Sequence, residues 1–261
     1  MTQVIIYLKK NVAENAAIYF EKAKKAKKKM QGAQGSLKEN ADKLQSLLKK
    51  QEKHASSEEE EKKLKERKKE WYEKFRWFFS SEGFLVIGGR DATSNEVVIK
   101  KYTESGDIVF HTDLAGSPFF VVKTEGRTPG GATIKEVADA TVTFSRVFKL
   151  GQQNSPVFWV RPEQISKQAQ SGEYLTKGAF MVRGKANYIE NKINLAVGMT
   201  NAQQIMAGPL EAVKKHCETY LVLEQGSMKP SDAAKKIKSK LGGSVDEIIR
   251  ALPAGGFKVV S

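Results

Sequence analysis

Four cationic side chains stand on glycine-rich segments near predicted strand ends, where binding sites usually lie. They are Arg90, Lys177, Arg183 and Lys185. Each can hold a phosphate group, and arginine can do so through two parallel hydrogen bonds. Gly88 and Gly89 would let a ligand approach the backbone closely, and Tyr174 could stack on a base. This is the chemistry of a nucleic-acid contact.

Each of these features also has an ordinary structural explanation, since glycine pairs form turns and single cations lie on protein surfaces. Their occurrence together in a basic chain favours contact with RNA. The sequence has 44 lysine and arginine residues against 30 aspartate and glutamate residues, a formal net charge of +14. This surplus favours a polyanionic partner, either nucleic acid or an acidic membrane surface. More than half of it lies in residues 1–80.

A second group of cations lies in the N-terminal third of the chain. It comprises Lys22, Lys24, Lys25, Lys27, Lys28 and Lys29. Such a run is often only a solvated helix face. Because only Glu21 offsets the six lysines, we favour a contact with the RNA backbone. The candidate contacts are Lys24, Lys25, Lys27 and Lys28.

Asp107, His111 and Asp113 form a pattern that could support catalysis. In a strand the three side chains would share one face, as in a metal or general-base cluster. The sequence has no cysteine and histidine set at zinc-ligand spacing and no nucleotide-binding or hydrolase motif. We therefore favour a structural histidine that bonds a carboxylate, and we expect no enzyme activity, no metal and no cofactor.

The elements that carry the lysines are predicted from heptad spacing. Residues 3–9 are apolar enough for a short strand. Over 12–53 small and apolar residues recur every seven positions, which indicates a coiled-coil helix of roughly 60 Å. A turn at 54–57 and a second helix to about Phe79 are predicted to follow. Since two long helices joined by a short turn must pack antiparallel, residues 1–79 are predicted to form a short strand and a coiled-coil hairpin.

Beyond residue 80 the hydrophobic pattern changes to the alternation typical of strands. We expect a mixed α/β domain over 80–225, with Val97-Val98-Ile99 as a strand and a helix from Thr133 to about Lys149. The other predicted strands are 84–87, 107–110, 119–122, 157–160, 180–184, 193–197 and 219–223. Residues 226–261 are predicted to be a linker and short helices. The predicted fold class is α+β, a long antiparallel helical hairpin followed by this α/β domain.

The sequence also bears on the cellular compartment. Cys217 is the single cysteine, so no disulfide can form within the chain, which suits a reducing compartment. No apolar run approaches the roughly 20 residues needed to span a bilayer, and the N-terminus lacks the pattern of a signal peptide. We therefore expect a soluble, cytoplasmic protein with no membrane partner.

Four segments, taken in order, resemble the NFACT-R domain, which is the RNA-binding module of the NFACT proteins. The segments are WFFSSEGFLVIGGRDATSNE, GDIVFHTDLAG, FWVRPEQISKQAQSGEYLTKG and AFMVRGK. The resemblance is strong over about residues 75–190. Residues 8–79 resemble the middle region of the family, a coiled-coil hairpin that begins with a strand. The C-terminal tail looks archaeal.

The resemblance implies three groups of RNA-binding residues. The first is Gly88, Gly89, Arg90, Asp91 and Asn95, the second is His111, Asp113 and Gly116, and the third is Tyr174, Lys177, Gly178, Arg183, Gly184 and Lys185. The resemblance assigns no individual tRNA or rRNA contact among them.

The function implied by the resemblance is specific. NFACT proteins bind the large ribosomal subunit that carries a stalled peptidyl-tRNA, recruit charged tRNA and support untemplated C-terminal tailing of the nascent chain. Large-subunit rRNA and tRNA are therefore the expected partners. Members of the family also carry an NFACT-N domain and a helix-hairpin-helix segment, which this sequence lacks. We therefore expect a C-terminal half, which could be a split gene product, a stand-alone variant or a piece of a longer protein. A separate protein with an NFACT-N domain is a candidate partner.

Three other functions stay open at the level of the sequence. The chain could be a generic RNA- or tRNA-binding module without a role in tailing. It could be an adhesion protein, since some bacterial relatives are described as fibronectin-binding, although the positive charge argues against this. It could also be a metal-dependent nuclease that uses Asp107, His111 and Asp113.

Overall fold

The fold was obtained as a computed structural model, which describes residues 4–66, 68–168 and 175–260, with only the backbone described over 48–66. The chain divides into two compact units, Met1–Glu60 and Glu61–Ser261. The predicted α+β class is confirmed, because a long N-terminal helix is followed by a mixed α/β domain with antiparallel sheets. Within the described residues, no helix has both the length and the apolar character needed to cross a membrane.

The N-terminal unit is built on helix α1 (Val12–Glu66). Asn11 and Glu14 cap its N-terminus reciprocally, since the Glu14 N–H donates to Asn11 Oδ1 at 2.8 Å and the Asn11 N–H donates to Glu14 Oε2 at 2.9 Å. Residues 4–7 belong to no strand, and the backbone N–H groups of Ile5 and Tyr7 donate to the side chains of Tyr19 and Asn15 on α1. The predicted strand over 3–9 is therefore wrong, because a strand needs a partner strand for its ladder of hydrogen bonds.

The second half of the predicted hairpin is not formed. Helix α1 continues through the predicted turn at 54–57, where the sequence has neither the proline nor the glycine that would end a helix. The helix expected to reach about Phe79 is replaced by a 3-10 turn (Trp71–Lys74) and a strand (Arg76–Phe79). Aromatic residues favour strands, and the two central residues of this strand are buried in the sheet.

The second unit contains twelve strands and six helices within its described residues. The strands are β1 (Arg76–Phe79), β2 (Leu85–Gly88), β3 (Ile108–Thr112), β4 (Phe120–Val122), β5 (Val157–Val160), β6 (Ile165–Ser166), β7 (Met181–Val182), β8 (Asn187–Ile189), β9 (Leu195–Thr200), β10 (Ile205–Gly208), β11 (Cys217–Met228) and β12 (Phe257–Val259). The helices are α2 (Ala92–Lys101), α3 (Gly131–Thr143), α4 (Arg146–Leu150), α5 (Leu210–His216), α6 (Pro230–Leu241) and α7 (Val245–Ala251).

Two antiparallel sheets form the core of this unit. The first has the strand order β1-β2-β4-β3-β5-β8 and the second has the order β10-β9-β11-β12, while β6 and β7 form a separate pair. Helix α3 packs across β3, β4 and β5, and Phe78, Phe110 and Phe120 are fully buried. Because β2 and β3 both pair antiparallel with β4, they run in the same direction and end at the same edge of the sheet.

Three local predictions need correction. Val97-Val98-Ile99 lies within α2 rather than in a strand, because Asp91 caps a helix at this point and overrides the strand preference of β-branched residues. The helix predicted from Thr133 is divided into α3 and α4, since the Ser145 side chain caps α4. The short helices predicted within 226–261 are present as α6 and α7, but no linker precedes them, because β11 extends to Met228 and α6 packs on β11 and β12.

Candidate nucleic-acid interface

A cavity of about 300 Å³ opens at the sheet edge where β2 and β3 end. Of the predicted site residues, it is lined by Gly89, Arg90, Asp91, Asn95, His111, Gly116, Lys177 and Gly178. Its other walls include Phe119, Phe144 and Phe180. All three groups of residues implied by the resemblance thus contribute to one place, which we call the signature cavity.

Gly89 and Asn95 connect the segment that follows β2 to the loop between β3 and β4. The Asn95 amide donates to the Ser117 carbonyl at 3.2 Å and accepts from the Phe119 N–H at 3.1 Å. A Cβ atom on Gly89 would lie 1.8 Å from Asn95 Oδ1, so only glycine fits beside this buried amide. These two residues therefore set the shape of the cavity.

Asp91 fixes the direction in which α2 leaves the cavity. Its Oδ1 accepts from the Ser94 N–H at 2.8 Å, and the Ser94 hydroxyl accepts from the Arg90 N–H at 2.7 Å. This capping hydrogen bond from the Ser94 N–H is the main reason why the pKa of Asp91 is lowered. The carboxylate is thus held at the N-terminus of a helix, where its charge is favourable.

Arg90 lines the cavity, but its guanidinium group is bonded elsewhere. Nη2 donates to the Phe75 carbonyl at 2.9 Å and to the Glu73 carbonyl at 3.3 Å. Burial, followed by the charge of Arg250, lowers the pKa of Arg90. These bonds brace the 3-10 turn and the start of β1. Phosphate binding by Arg90 stays a prediction, and its bonds favour a structural role.

His111 forms part of the wall rather than a charged contact. Its ring stacks on Phe119 with a centroid distance of 4.0 Å, and Nε2 lies 3.3 Å from the Ser117 carbonyl oxygen, as expected for a donated N–H bond. The bonded acceptor is thus a backbone carbonyl and not a carboxylate. Burial lowers the pKa of His111 to about 4, so the imidazole is neutral at pH 7.

The two aspartates considered for a nuclease have separate partners. Asp107 is buried and pairs with Lys123 Nζ at 2.6 Å, while Asp113 accepts a hydrogen bond from the Tyr188 hydroxyl at 3.3 Å. Among the residues that the structure describes, no group of three or more histidine, cysteine, aspartate or glutamate side chains could hold a metal ion. Asp107, His111 and Asp113 therefore do not form one catalytic cluster.

Two residues that sequence reasoning missed, Glu96 and Lys167, connect Gly178 of the third residue group to α2. Glu96 Oε1 accepts from the Gly178 N–H at 3.2 Å and pairs with Lys167 Nζ at 2.6 Å. The bond from Lys167 is the main cause that lowers the pKa of Glu96 to about 2. Gly178 has φ +81°, and a Cβ there would lie 2.6 Å from Ala92 Cα. Glu96 and Lys167 both lie within the segments that resemble NFACT-R, and this resemblance was the signal that could have identified them.

Lys177, Arg183 and Lys185 are the exposed cations of this third segment. Lys177 lines the cavity, and its charge helps to lower the pKa of Asp91. The other two flank Gly184, which has φ +80°. In the described part of the chain, the side chains of Arg183 and Lys185 form no hydrogen bond or ion pair. They are therefore available to an anionic ligand.

The remaining predicted residues lie outside the signature cavity. They are Gly88, Asp113, Arg183, Gly184 and Lys185 in the second unit and Lys24, Lys25, Lys27 and Lys28 on α1. Tyr174 falls outside the described residues. Gly88 has a packing role, since a Cβ there would lie 2.4 Å from the ring of Phe120. The four lysines are all exposed, as either a solvated face or an RNA contact requires.

Comparison with known proteins gives a consistent result. Residues 74–184 match the family described as NFACT protein RNA binding domain. The archaeal Rqc2 homolog aRqcH of Methanocaldococcus jannaschii is 41% identical over 74% of this chain and 30% of its own length. The human ribosome quality control complex subunit NEMF is 36% identical over 67% of this chain and 16% of its own length. The chain thus spans less than a third of either relative.

One solved structure is a weaker match. It is the C-terminal part of the fibronectin/fibrinogen-binding protein from Streptococcus suis, with a TM-score of 0.38 and 16% identity over 48% of this chain and 47% of that chain. A likeness of this size carries no inference about function.

Proposed function

The chain belongs to the family of ribosome quality control proteins that carry the NFACT RNA-binding domain, and from this we propose that it binds the large ribosomal subunit bearing a stalled peptidyl-tRNA. Within this proposal it acts in the cytoplasm and contacts rRNA and tRNA without catalysing a reaction itself. It helps to recruit tRNA for untemplated C-terminal tailing of the nascent chain. The chain spans less than a third of these relatives, and the tailing role is proposed to require the NFACT-N part of the family as well.

The observation that carries this proposal is the convergence of three segments on the signature cavity. Asn95, Asp91 and Glu96 fix its loops through hydrogen bonds to the backbone. Such fixed loops present Lys177 in a defined position, and a preorganised site binds a phosphate at lower entropic cost than a mobile one. The exposed Arg183 and Lys185 extend the positive surface along the same segment of chain.

The lysines of α1 are proposed as a second, less specific contact. Lys24, Lys25, Lys27 and Lys28 lie within two turns of an exposed helix. Contacts of this kind add affinity through release of counterions from RNA and do not depend on its sequence.

Co-sedimentation with purified large subunits tests the proposal. We expect the wild-type chain to sediment with subunits that carry peptidyl-tRNA, and the double variant Lys177→Gln, Arg183→Gln to bind about tenfold more weakly, because two phosphate contacts are lost. The matched control is Lys236→Gln, Lys240→Gln, which removes the same charge from exposed positions on α6.

Two outcomes would contradict the proposal in different ways. If the wild-type chain does not sediment with the subunits in moderate salt, ribosome binding is refuted. If the chain binds but adds no C-terminal tail when tRNA and an NFACT-N protein are supplied, the chain is an RNA-binding module without a role in tailing.

A further inference from the structure

A second cavity shares Arg90 with the signature cavity, because this residue lines both. It encloses about 260 Å³ between the 3-10 turn, β1, β10 and α7. Its charged lining residues are Lys69, Lys74, Arg76, Arg90 and Arg250 on the positive side and Glu70, Glu73 and Glu247 on the negative side. Positive charge is thus in surplus, and we call this space the arginine cavity.

Two carboxylates of the arginine cavity have bonds to groups other than its arginines. Glu247 pairs with Lys69 at 2.7 Å. Glu73 Oε1 accepts from the Glu70 N–H at 2.7 Å and from the Gln204 amide at 3.1 Å. These bonds hold the wall of the cavity together.

Two of the arginines are partly buried and have neutral partners. Arg76 donates to the Leu252 carbonyl at 2.9 Å and lies 4.7 Å from the centroid of the Phe144 ring, whereas Arg90 donates only to backbone carbonyls. Within the described residues neither forms an ion pair with a carboxylate, and the Nε atom of each is buried without a hydrogen-bond partner. Withdrawing a cation from water without a counter-charge is costly, so a bound anion would stabilise both.

Protonation is consistent with this picture. Burial and the nearby charge of Arg90 lower the pKa of Arg76 to about 10. The group therefore remains cationic at neutral pH, and the cavity keeps its positive charge.

An aromatic surface lies at the same cavity. Trp71 lines it and stacks on Tyr102 with a centroid distance of 4.9 Å and an interplanar angle of 5°. The side chain is still 42% exposed. Lys74 Nζ lies 4.4 Å from the centre of the Tyr102 ring. Stacked aromatic rings beside cations are the arrangement with which proteins bind unpaired bases and their phosphates.

The volume of the arginine cavity indicates which part of a nucleotide would lie inside it and which part outside. Pockets that enclose drug-sized ligands have volumes of roughly 300–1,000 Å³, and the arginine cavity is smaller, at about 260 Å³. It has room for a phosphate and part of a sugar. The base would then lie outside, on the exposed part of Trp71.

We propose that the arginine cavity holds one phosphate of a nucleotide whose base stacks on Trp71, and that this nucleotide belongs to a single-stranded RNA segment. Bases in a duplex are already stacked and paired, so only an unpaired strand offers both groups. Because Arg90 lines both cavities, one strand can contact both. The inference goes beyond the function proposed above, since it names a separate site and does not require a ribosome.

Fluorescence anisotropy with a labelled adenylate decamer tests this inference on the full chain. We expect Trp71→Leu to weaken binding about tenfold, within the range for the loss of one stacked base. Arg250→Gln should weaken binding about fivefold through loss of one phosphate contact, and Arg250 is exposed, so the variant should fold. The matched control is Arg127→Gln, an exposed arginine over the Phe84 ring outside both cavities, which should bind like wild type.

Competition with adenosine monophosphate and with inorganic phosphate identifies the source of the ligand. Weak competition by both, far below that of an unlabelled decamer, supports an RNA strand. If adenosine monophosphate competes as strongly as the unlabelled decamer, and both variants lose this competition, the cavity binds the same phosphate and base but takes them from a free nucleotide. If Trp71→Leu and Arg250→Gln both bind the decamer like Arg127→Gln, the inference is overturned.

The same variants separate this inference from the proposed function. If Trp71→Leu loses decamer binding but the wild-type chain does not sediment with large subunits, the inference about the arginine cavity is supported and ribosome binding is refuted. If the chain sediments with large subunits but Trp71→Leu and Arg250→Gln leave decamer binding unchanged, ribosome binding is supported and the inference about the arginine cavity is refuted.

Discussion

The lysine face of α1 and the signature cavity are both proposed to contact RNA, but their construction differs. Lys24, Lys25, Lys27 and Lys28 are exposed side chains on a regular helix. In the signature cavity, by contrast, Gly89 and Gly178 approach other atoms so closely that no side chain fits. The helix supplies charge without a defined geometry, whereas the cavity supplies geometry with few charges. Substitution of the cations should therefore act on binding, whereas substitution of Gly89 or Gly178 should act on stability.

The largest effect should come from reversing the charge of the lysine face. In the quadruple variant Lys24→Glu, Lys25→Glu, Lys27→Glu, Lys28→Glu we expect RNA affinity at low salt to fall by at least about 100-fold, and the slope of log affinity against log salt to flatten by as much as about 0.9 per lost phosphate contact. Titrations at several salt concentrations measure both quantities. The melting temperature should change little, because these side chains are exposed.

Net charge alone could produce part of that loss, so a matched control is needed. The control carries the same four charge reversals at Lys214, Lys215, Lys236 and Lys240, which are exposed on α5 and α6. An equal loss of affinity and an equal change of slope in both variants would show that the lysine face is only a solvated surface.

Gly89→Ala should show the opposite behaviour. The added Cβ would lie 1.8 Å from Asn95 Oδ1, so the variant must displace a buried amide that holds two backbone groups. We expect the free energy of unfolding to fall by about 3 kcal/mol, as for other losses of buried hydrogen bonds combined with steric overlap. Chemical denaturation measures this. The control is Gly131→Ala, where nothing lies within 4 Å of the new Cβ, and an equal loss there would contradict the packing argument.

The sequence predicted the strands of this region well and their surroundings less well. The runs at 85–88, 108–112 and 120–122 are apolar and β-branched or aromatic, so their local preference agrees with the sheet. Val97-Val98-Ile99 has the same preference but lies in a helix. The Asp91 cap and the hydrogen bonds of Asn95 to the loop between β3 and β4 stabilise this helix. Such tertiary contacts leave no mark on the local pattern.

The candidate site divides in the same way. The convergence of the glycine-rich segments follows from the resemblance together with the parallel course of β2 and β3. The partners of Arg90 could not be predicted, since they are carbonyl groups of Glu73 and Phe75, in a segment that the heptad pattern placed in a helix. An error in one element thus concealed the role of a residue in another.

Acid should weaken the cavity region through His111. Burial lowers the pKa of this residue from 6.5 to about 4 in the folded chain. Between these values the unfolded chain binds more protons than the folded one, so the stability contributed by neutral His111 is present above about pH 6.5 and is lost as pH falls. We expect a loss of about 2 kcal/mol between pH 6.5 and pH 4.5. Urea denaturation across this range measures it, and His111→Phe should flatten the dependence; an unchanged slope in that variant would assign the effect to other groups.

The smallest effects separate two arginines that the sequence placed in one class. Arg90→Ala removes two hydrogen bonds from a partly buried guanidinium to the Phe75 and Glu73 carbonyls. We expect the free energy of unfolding to fall by about 1.5 kcal/mol, because the variant no longer has to desolvate this charge and so recovers part of the free energy of the lost bonds. Arg183→Ala removes only an exposed cation, so stability should stay within about 0.5 kcal/mol while RNA affinity falls about threefold. Thermal melts and RNA titrations on both variants measure the pair. If Arg183→Ala melts early and Arg90→Ala does not, the division between charge and geometry fails within the α/β domain itself, because an exposed side chain would then support the fold that the partly buried one was inferred to brace.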